Sequence, residues 1–198
     1  MALENHRSSQ KVSLFKAALL TSMLFLAFVA ALFPKAQLPV VSLFISALEL
    51  LNFVFHEAGH ILFGFMGEFI SVAGGTAGQL FVPVLFLVAA FYRRRFYVAA
   101  FFMLWIGQNF TNISLYIGDA SLQSLHLISP GALLTGEQAI HDWNYLLGHL
   151  GLLWADQFLA AFVYSLGVLV MLFAAAWPIL LYYLSQRNSA IPTPRQRM

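Results

Sequence analysis

The sequence predicts an all-α integral membrane protein of about five transmembrane helices, with an amphipathic helix in the 119–157 loop. Residues 1–198 read as a single polytopic domain. Three observations carry this. Of 198 residues, 61% are hydrophobic and only 9% charged, with a mean hydropathy of +0.80, whereas soluble domains carry about a quarter charged residues. Five apolar runs, roughly 13–33, 40–66, 77–92, 96–118 and 158–184, reach or approach the about 20 residues a helix needs to cross a bilayer. The basic residues cluster near the ends of those runs, as topology signals do. That clustering argues against a nucleic-acid footprint, which would cover a solvated face. The chain has no cysteine, which excludes disulfides, thiolate metal sites and cysteine nucleophiles.

The first run follows Arg7, Lys11 and Lys16 but is longer than a signal-peptide core and lacks a small-x-small cleavage site, so it reads as a retained helix. "FPKAQLP" separates it from the second run, since two prolines stop helix propagation. "GEFISVAGGTAG" reads as the connection from the second run to the third, and Arg93, Arg94 and Arg95 as a topology anchor before the fourth. With five crossings, Lys35, the three arginines, Arg187, Arg195 and Arg197 fall on one side, and Arg7, Lys11 and Lys16 on the other. This bias predicts a cytoplasmic C-terminus. The 119–157 loop has no Lys or Arg. Within it, Ile140, Trp143, Leu147, Leu150 and Trp154 recur at helical spacing while Asp142, Tyr145 and His149 take another face. That pattern predicts an amphipathic helix lying on the membrane or capping the bundle. The tail from 186 is polar and contains proline. His126 reads as a loop residue, and the "NFT" and "NIS" acceptor patterns lie inside the fourth run, where they are not expected to be used.

Chemistry concentrates in the second run, at "HEAGH". On a helix, residues four apart project from one face, so His56 and His60 can present two imidazoles to one metal ion. Glu57 lies about 100° further round the axis, close enough to serve as a general base toward water at that metal. Ala58 and Gly59 are small and leave space for a substrate backbone. Buried, hydrogen-bonded helix histidines are the plainer explanation. That explanation must accept ionisable side chains inside a spanning segment, at about 2.5–3.5 kcal/mol per charge on insertion scales. Glu49 shares the face of His56 and His60; it reads either as a partner orienting an imidazole or as a snorkelling or helix-paired acid.

A catalytic zinc site needs a third protein ligand and an open position. The fourth run offers Gln108, Asn112 and Asp119 on one polar stripe. The second and fourth runs are one crossing apart and therefore run in the same direction, so Asp119 can meet the histidines at one membrane face. The competitors are His141 and Asp142 in the following loop. Zinc is the expected ion, although His/carboxylate sets accept other divalent metals. Gln79, Gln108 and Asn112 can align a substrate strand or stabilise an oxyanion, or simply hydrogen-bond between helices.

Over roughly residues 40–120 the chain resembles the site-2 proteases, intramembrane metallopeptidases that cut transmembrane substrates. The resemblance lies in HEAGH, in the helix order, in Asp119, and in "AGQLFVPVL" at 77–85, which looks like the Gly-rich start of that family's intervening helix. It implies His56, His60 and Asp119 as ligands, Glu57 as the base, and a membrane-embedded or membrane-adjacent protein or peptide as substrate. The chain departs from the family in "NISLYIGDA", which lacks prolines and has Ala120 after the acid, and in Gly78-Gln79 where Gly-Pro is usual. Two other readings remain open: a metal-dependent enzyme acting on a lipid or small amphiphile, and a non-enzymatic metal- or cofactor-binding membrane subunit.

Overall fold

The computed structural model describes residues 14–33, 39–125 and 141–189. Among them the chain is helical, with no strand. The helices are α1 (Leu14–Leu32), α2 (Pro39–Phe63, extended by a 3-10 turn at Gly64–Met66), α3 (Glu68–Tyr92), α4 (Phe96–Gly118), α5 (Asp142–His149) and α6 (Asp156–Ser189, preceded by a 3-10 turn at Leu153–Ala155). Four of them, α1, α2, α3 and α6, are long and apolar enough to cross a membrane. The sequence reading had five. The fifth, α4, has the length at 23 residues, but Gln108, Asn109, Thr111, Asn112 and Ser114 lower its apolarity. Thirteen of its residues are buried, shielded by its neighbours.

Two local expectations change. "GEFISVAGGTAG" is not a connection: apart from Gly67, which turns the chain at φ +95, it is the first half of α3. Its glycines suit a helix here because α3 crosses α2 at backbone contact. A Cβ on Gly59 would stand 2.0 Å from the Gly74 carbonyl oxygen, and one on Gly78 2.5 Å from that of Phe55. Small residues permit such close approach between apolar helices, where packing drives association. The space at Gly59 expected for a substrate is therefore filled by α3. The amphipathic helix is also shorter than expected. It ends at His149, and Gly151 at φ +68 turns the chain away, so Leu147 is buried while Trp154 is 82% exposed. Ile140 and His126 lie outside the described residues, as does the tail beyond Ser189.

Packing fixes the directions. Gly59 against Gly74 and Phe55 against Gly78 make α2 and α3 antiparallel. Gln79–Asn112 and Phe86–Phe102 make α3 and α4 antiparallel. Phe44–Phe101 and Asn52–Gln108 make α2 and α4 parallel, as the sequence reading required. Gly118 beside Ala160, Gly107 beside Met171 and Phe96 beside Trp177 run α6 back along α4. The main core joins Leu24, Ala27, Leu48, Leu104, Trp105 and Met171 across α1, α2, α4 and α6. A smaller core of Ile113, Ile117, Ala120 and Leu147 seats α5 on the end of α4. The end of α2, the start of α3, the end of α4 and all of α5 thus meet at one end of the bundle.

Candidate metal centre

At that end, α2 presents His56 and His60 one turn apart, their rings 4.7 Å between centroids and nearly perpendicular. Their partner comes from the first residue of α5. Asp142 Oδ2 lies 2.8 Å from His56 Nε2 and 3.2 Å from His60 Nε2. Among the described residues, these three side chains form the group of His, Asp, Glu or Cys whose ligand atoms are close enough to share a metal ion.

The donor set fits a divalent metal on three counts. Ligands about 2.0–2.1 Å from a tetrahedral zinc lie about 3.4 Å apart, so separations of 2.8 and 3.2 Å need only a small opening. His60 Nδ1 is 2.9 Å from the Ser71 carbonyl oxygen; an acceptor there places the proton on Nδ1 and leaves Nε2 with its lone pair. That lone pair faces a carboxylate oxygen, an arrangement that requires either a second proton or a cation between them. Finally, a Cβ on Gly75 would sit 2.6 Å from His60 Nε2 and 2.7 Å from His56 Nε2, so the missing side chain leaves room beside both ligand atoms. The Asp142 carboxyl is held below the usual range: burial opposes its ionisation, but the two histidines beside it outweigh that. Glu57 is half-buried, and its titratable neighbours are His56, His60 and Asp142.

Asp119 is elsewhere. The structure does not bring it to the histidines; it closes α4 and is buried. Its Oδ1 accepts from the Ser124 amide (2.9 Å) and hydroxyl (2.5 Å), and its Oδ2 from the Leu125 amide (2.9 Å) and His141 Nε2 (3.3 Å). A carboxylate offers about four lone-pair directions, and these donors take them, so Asp119 has none left to direct at a metal. Burial resists its ionisation, but the Ser124 hydroxyl, the Leu125 and Ser124 amides and His141 outweigh it and hold the carboxyl at about 2. His141, the other alternative, turns toward Asp119 and caps α5, its Nδ1 accepting from the Asn144 amide at 3.2 Å.

The polar stripe of α4 is paired between helices. Trp105 Nε1 donates to Asn52 Oδ1 (2.7 Å), and Asn52 Nδ2 donates to Gln108 Oε1 (2.7 Å). Gln79 Nε2 donates to Asn112 Oδ1 (3.1 Å). Gln108 and Asn112 also line a cavity of about 170 Å³ with Glu49, Thr111 and Tyr164. Glu49 is thus beside this cavity, and the Nδ1 of His60 has Ser71 as its partner instead. Both sequon asparagines lie inside α4, and the Asn109 amide donates to the Trp105 carbonyl. Two contributors had no sequence signal beyond their size or polarity: Ser71, which acts through its backbone, and Gly75, which acts through what it lacks. No family model, no curated protein and no solved structure matches the chain, so the reading of the site rests on its own chemistry.

Proposed function

We propose that the chain is a zinc-dependent intramembrane peptidase that hydrolyses peptide bonds of membrane-embedded or membrane-adjacent substrates. In this reading it crosses the membrane five times with its C-terminus in the cytoplasm, and His56, His60 and Asp142 hold the metal. The observation that carries the proposal is the convergence of two imidazole nitrogens and one carboxylate oxygen beside Glu57, at the end of an apolar bundle. The histidine side chains stay about a quarter exposed, at 24% and 25%, which leaves an open side for water and substrate, as a catalytic site needs.

Bound there, zinc supplies Lewis acidity toward water and toward a substrate carbonyl. The residues of the chain do the rest. Ser71 holds His60 in the tautomer that leaves Nε2 free, and Asp142 adds negative charge that favours a cation. Glu57 takes the proton from the attacking water and returns it to the leaving amine, the step that distinguishes amide hydrolysis from simple metal binding. Gln79, Gln108 and Asn112 are paired between helices and hold the bundle rather than a substrate.

The test is Glu57→Gln in the purified full-length protein, assayed on a membrane-inserted reporter peptide with metal content measured in parallel. Expected is one metal ion per chain in both proteins and a loss of cleavage of at least about 100-fold, the low end for a general base. Undiminished cleavage in the variant would sink the assignment of Glu57. Elemental analysis of protein purified without chelator identifies the ion, since this donor set also accepts other divalent metals.

A further inference from the structure

We propose that Asp119 and His141 form a clasp that positions Asp142, making both of them positioning residues for the metal centre although neither points at it. This rests on reading His56, His60 and Asp142 as the ligands. Asp142 is the first residue of a helix of eight residues, far too short to be stable by itself. Its placement must therefore come from tertiary ties. Those ties converge on the residue before it. His141 Nδ1 accepts the Asn144 amide hydrogen, which caps α5 and leaves the ring proton on Nε2. That proton is directed at Asp119 Oδ2, 3.3 Å away, between side chains that are both buried.

The other end of the clasp is rigid. Asp119 follows the last turn of α4, the most enclosed helix of the bundle, and three further donors from Ser124 and Leu125 hold its carboxylate. A second tie runs alongside, from Asn144 Nδ2 to the Ala120 carbonyl at 2.8 Å. The first turn of α5 is thereby fastened to the end of α4, while the histidines ride on α2, which α4 grips through Asn52–Gln108. The third ligand and the first two are thus referenced to one central helix. Metal ligands need to be held within about 0.5 Å, and adjacent Cα atoms are about 3.8 Å apart. Losing the His141 tie therefore leaves Asp142 held only from Asn144 and Leu147, further along α5, and its carboxylate less closely placed.

The experiment measures metal affinity by chelator competition, and the visible spectrum of the Co2+-loaded protein, in full-length wild type and five variants. These are Asp142→Ala, Asp119→Ala, Asp119→Asn, His141→Ala and His141→Gln. Expected is a Kd raised about 10- to 100-fold for Asp119→Ala and His141→Ala, the usual effect of losing an outer partner of a metal ligand. At saturation both keep one ion per chain and the wild-type Co2+ band, because the ligand set is unchanged. His141→Gln, which restores an N–H near the Nε2 position, recovers at least part of the loss. Asp119→Asn keeps the shape of the side chain and guards against misfolding of the alanine variant; it too is expected to weaken binding. Wild-type affinity in the Asp119 and His141 variants, with affinity lost in Asp142→Ala, overturns the clasp and leaves the metal site standing. Wild-type affinity in Asp142→Ala overturns the ligand assignment itself. A Co2+ band altered in Asp119→Ala as it is in Asp142→Ala makes Asp119 a ligand, and the positioning role falls.

Discussion

Half-way along the bundle, Trp105, Asn52 and Gln108 pass hydrogen bonds from one to the next; at its end, His56, His60 and Asp142 aim three ligand atoms at one spot. Both groups are polar islands among apolar helices, yet they solve the burial of polar atoms in opposite ways. The indole of Trp105 can only donate, which sets the direction of the whole relay: the Asn52 oxygen receives, its amide nitrogen donates, and the Gln108 oxygen receives. Donors and acceptors match, so the relay joins α2 to α4 and needs nothing further. At the end of the bundle the arithmetic does not close. Two Nε2 atoms share one carboxylate oxygen, and the His60 proton is already committed to Ser71. A matched network holds helices together, whereas a cluster short of positive charge is a place for a cation. Buried polarity by itself does not mark a site; an unbalanced set of donors and acceptors does.

Glycine substitutions break this comparison most sharply. Gly59→Ala puts a methyl group 2.0 Å from the Gly74 carbonyl oxygen and 2.8 Å from its carbon, so α2 and α3 must separate. Overpacking of this kind costs about 3 kcal/mol, and a denaturant titration in detergent is expected to show a large fall in the unfolding midpoint. Gly75→Ala instead meets the tips of the two imidazoles. They can turn aside, so helix content by circular dichroism is expected to persist while metal affinity drops at least about tenfold, as for other disturbed metal-site partners. Equal effects of the two substitutions on metal would show that Gly75 has no special place beside the ligands.

A smaller effect is expected in the relay. Gln108→Leu removes the acceptor for Asn52, and interhelical hydrogen bonds in membranes average about 0.6 kcal/mol and reach about 1.7. The unfolding midpoint should fall modestly with metal stoichiometry unchanged; loss of metal from this variant would erase the distinction between the two regions. A last effect is read out in acid. Asp119 ionises at about 2 in the fold against an ordinary 3.8. A depressed carboxyl stabilises the fold fully above the unfolded value and loses that contribution as pH falls through the folded one. Metal-free protein should therefore show this contribution intact at neutral pH and declining between 3.8 and about 2, and Asp119→Asn should lack that part of the decline.

Much of this architecture is legible in the sequence because long apolar helices announce themselves by length and composition. The histidines are legible because a four-residue spacing on a helix settles their common face, and Glu57 because it lies one residue on, about 100° round the axis. The parallel course of α2 and α4 followed from counting crossings. The helical start of α3 was hidden by its own composition: Gly74, Gly75 and Gly78 signal a loop locally, and only the backbone of α2 passing against them makes a helix the better state. The choice between Asp119 and Asp142 was hidden for a different reason. Both acids reach the correct end of the bundle, and helical periodicity cannot tell how the chain returns from Leu125 to His141. What separates them is hydrogen bonding: Ser124, Leu125 and His141 saturate one carboxylate, while the histidines face the other.

The distance along the chain between His56 and Asp142, 86 positions, has a consequence for biogenesis. A ribosome adds about 5–20 residues per second, so α2 is complete several seconds before α5 exists. During that interval the chain carries two imidazoles and a glutamate but no carboxylate to complete the set. Tight capture of an ion at the proposed centre would then wait until α4 has packed and α5 has docked on its end. An order of assembly is thereby written into the chain, and a chain truncated before His141 lacks the third member of the cluster.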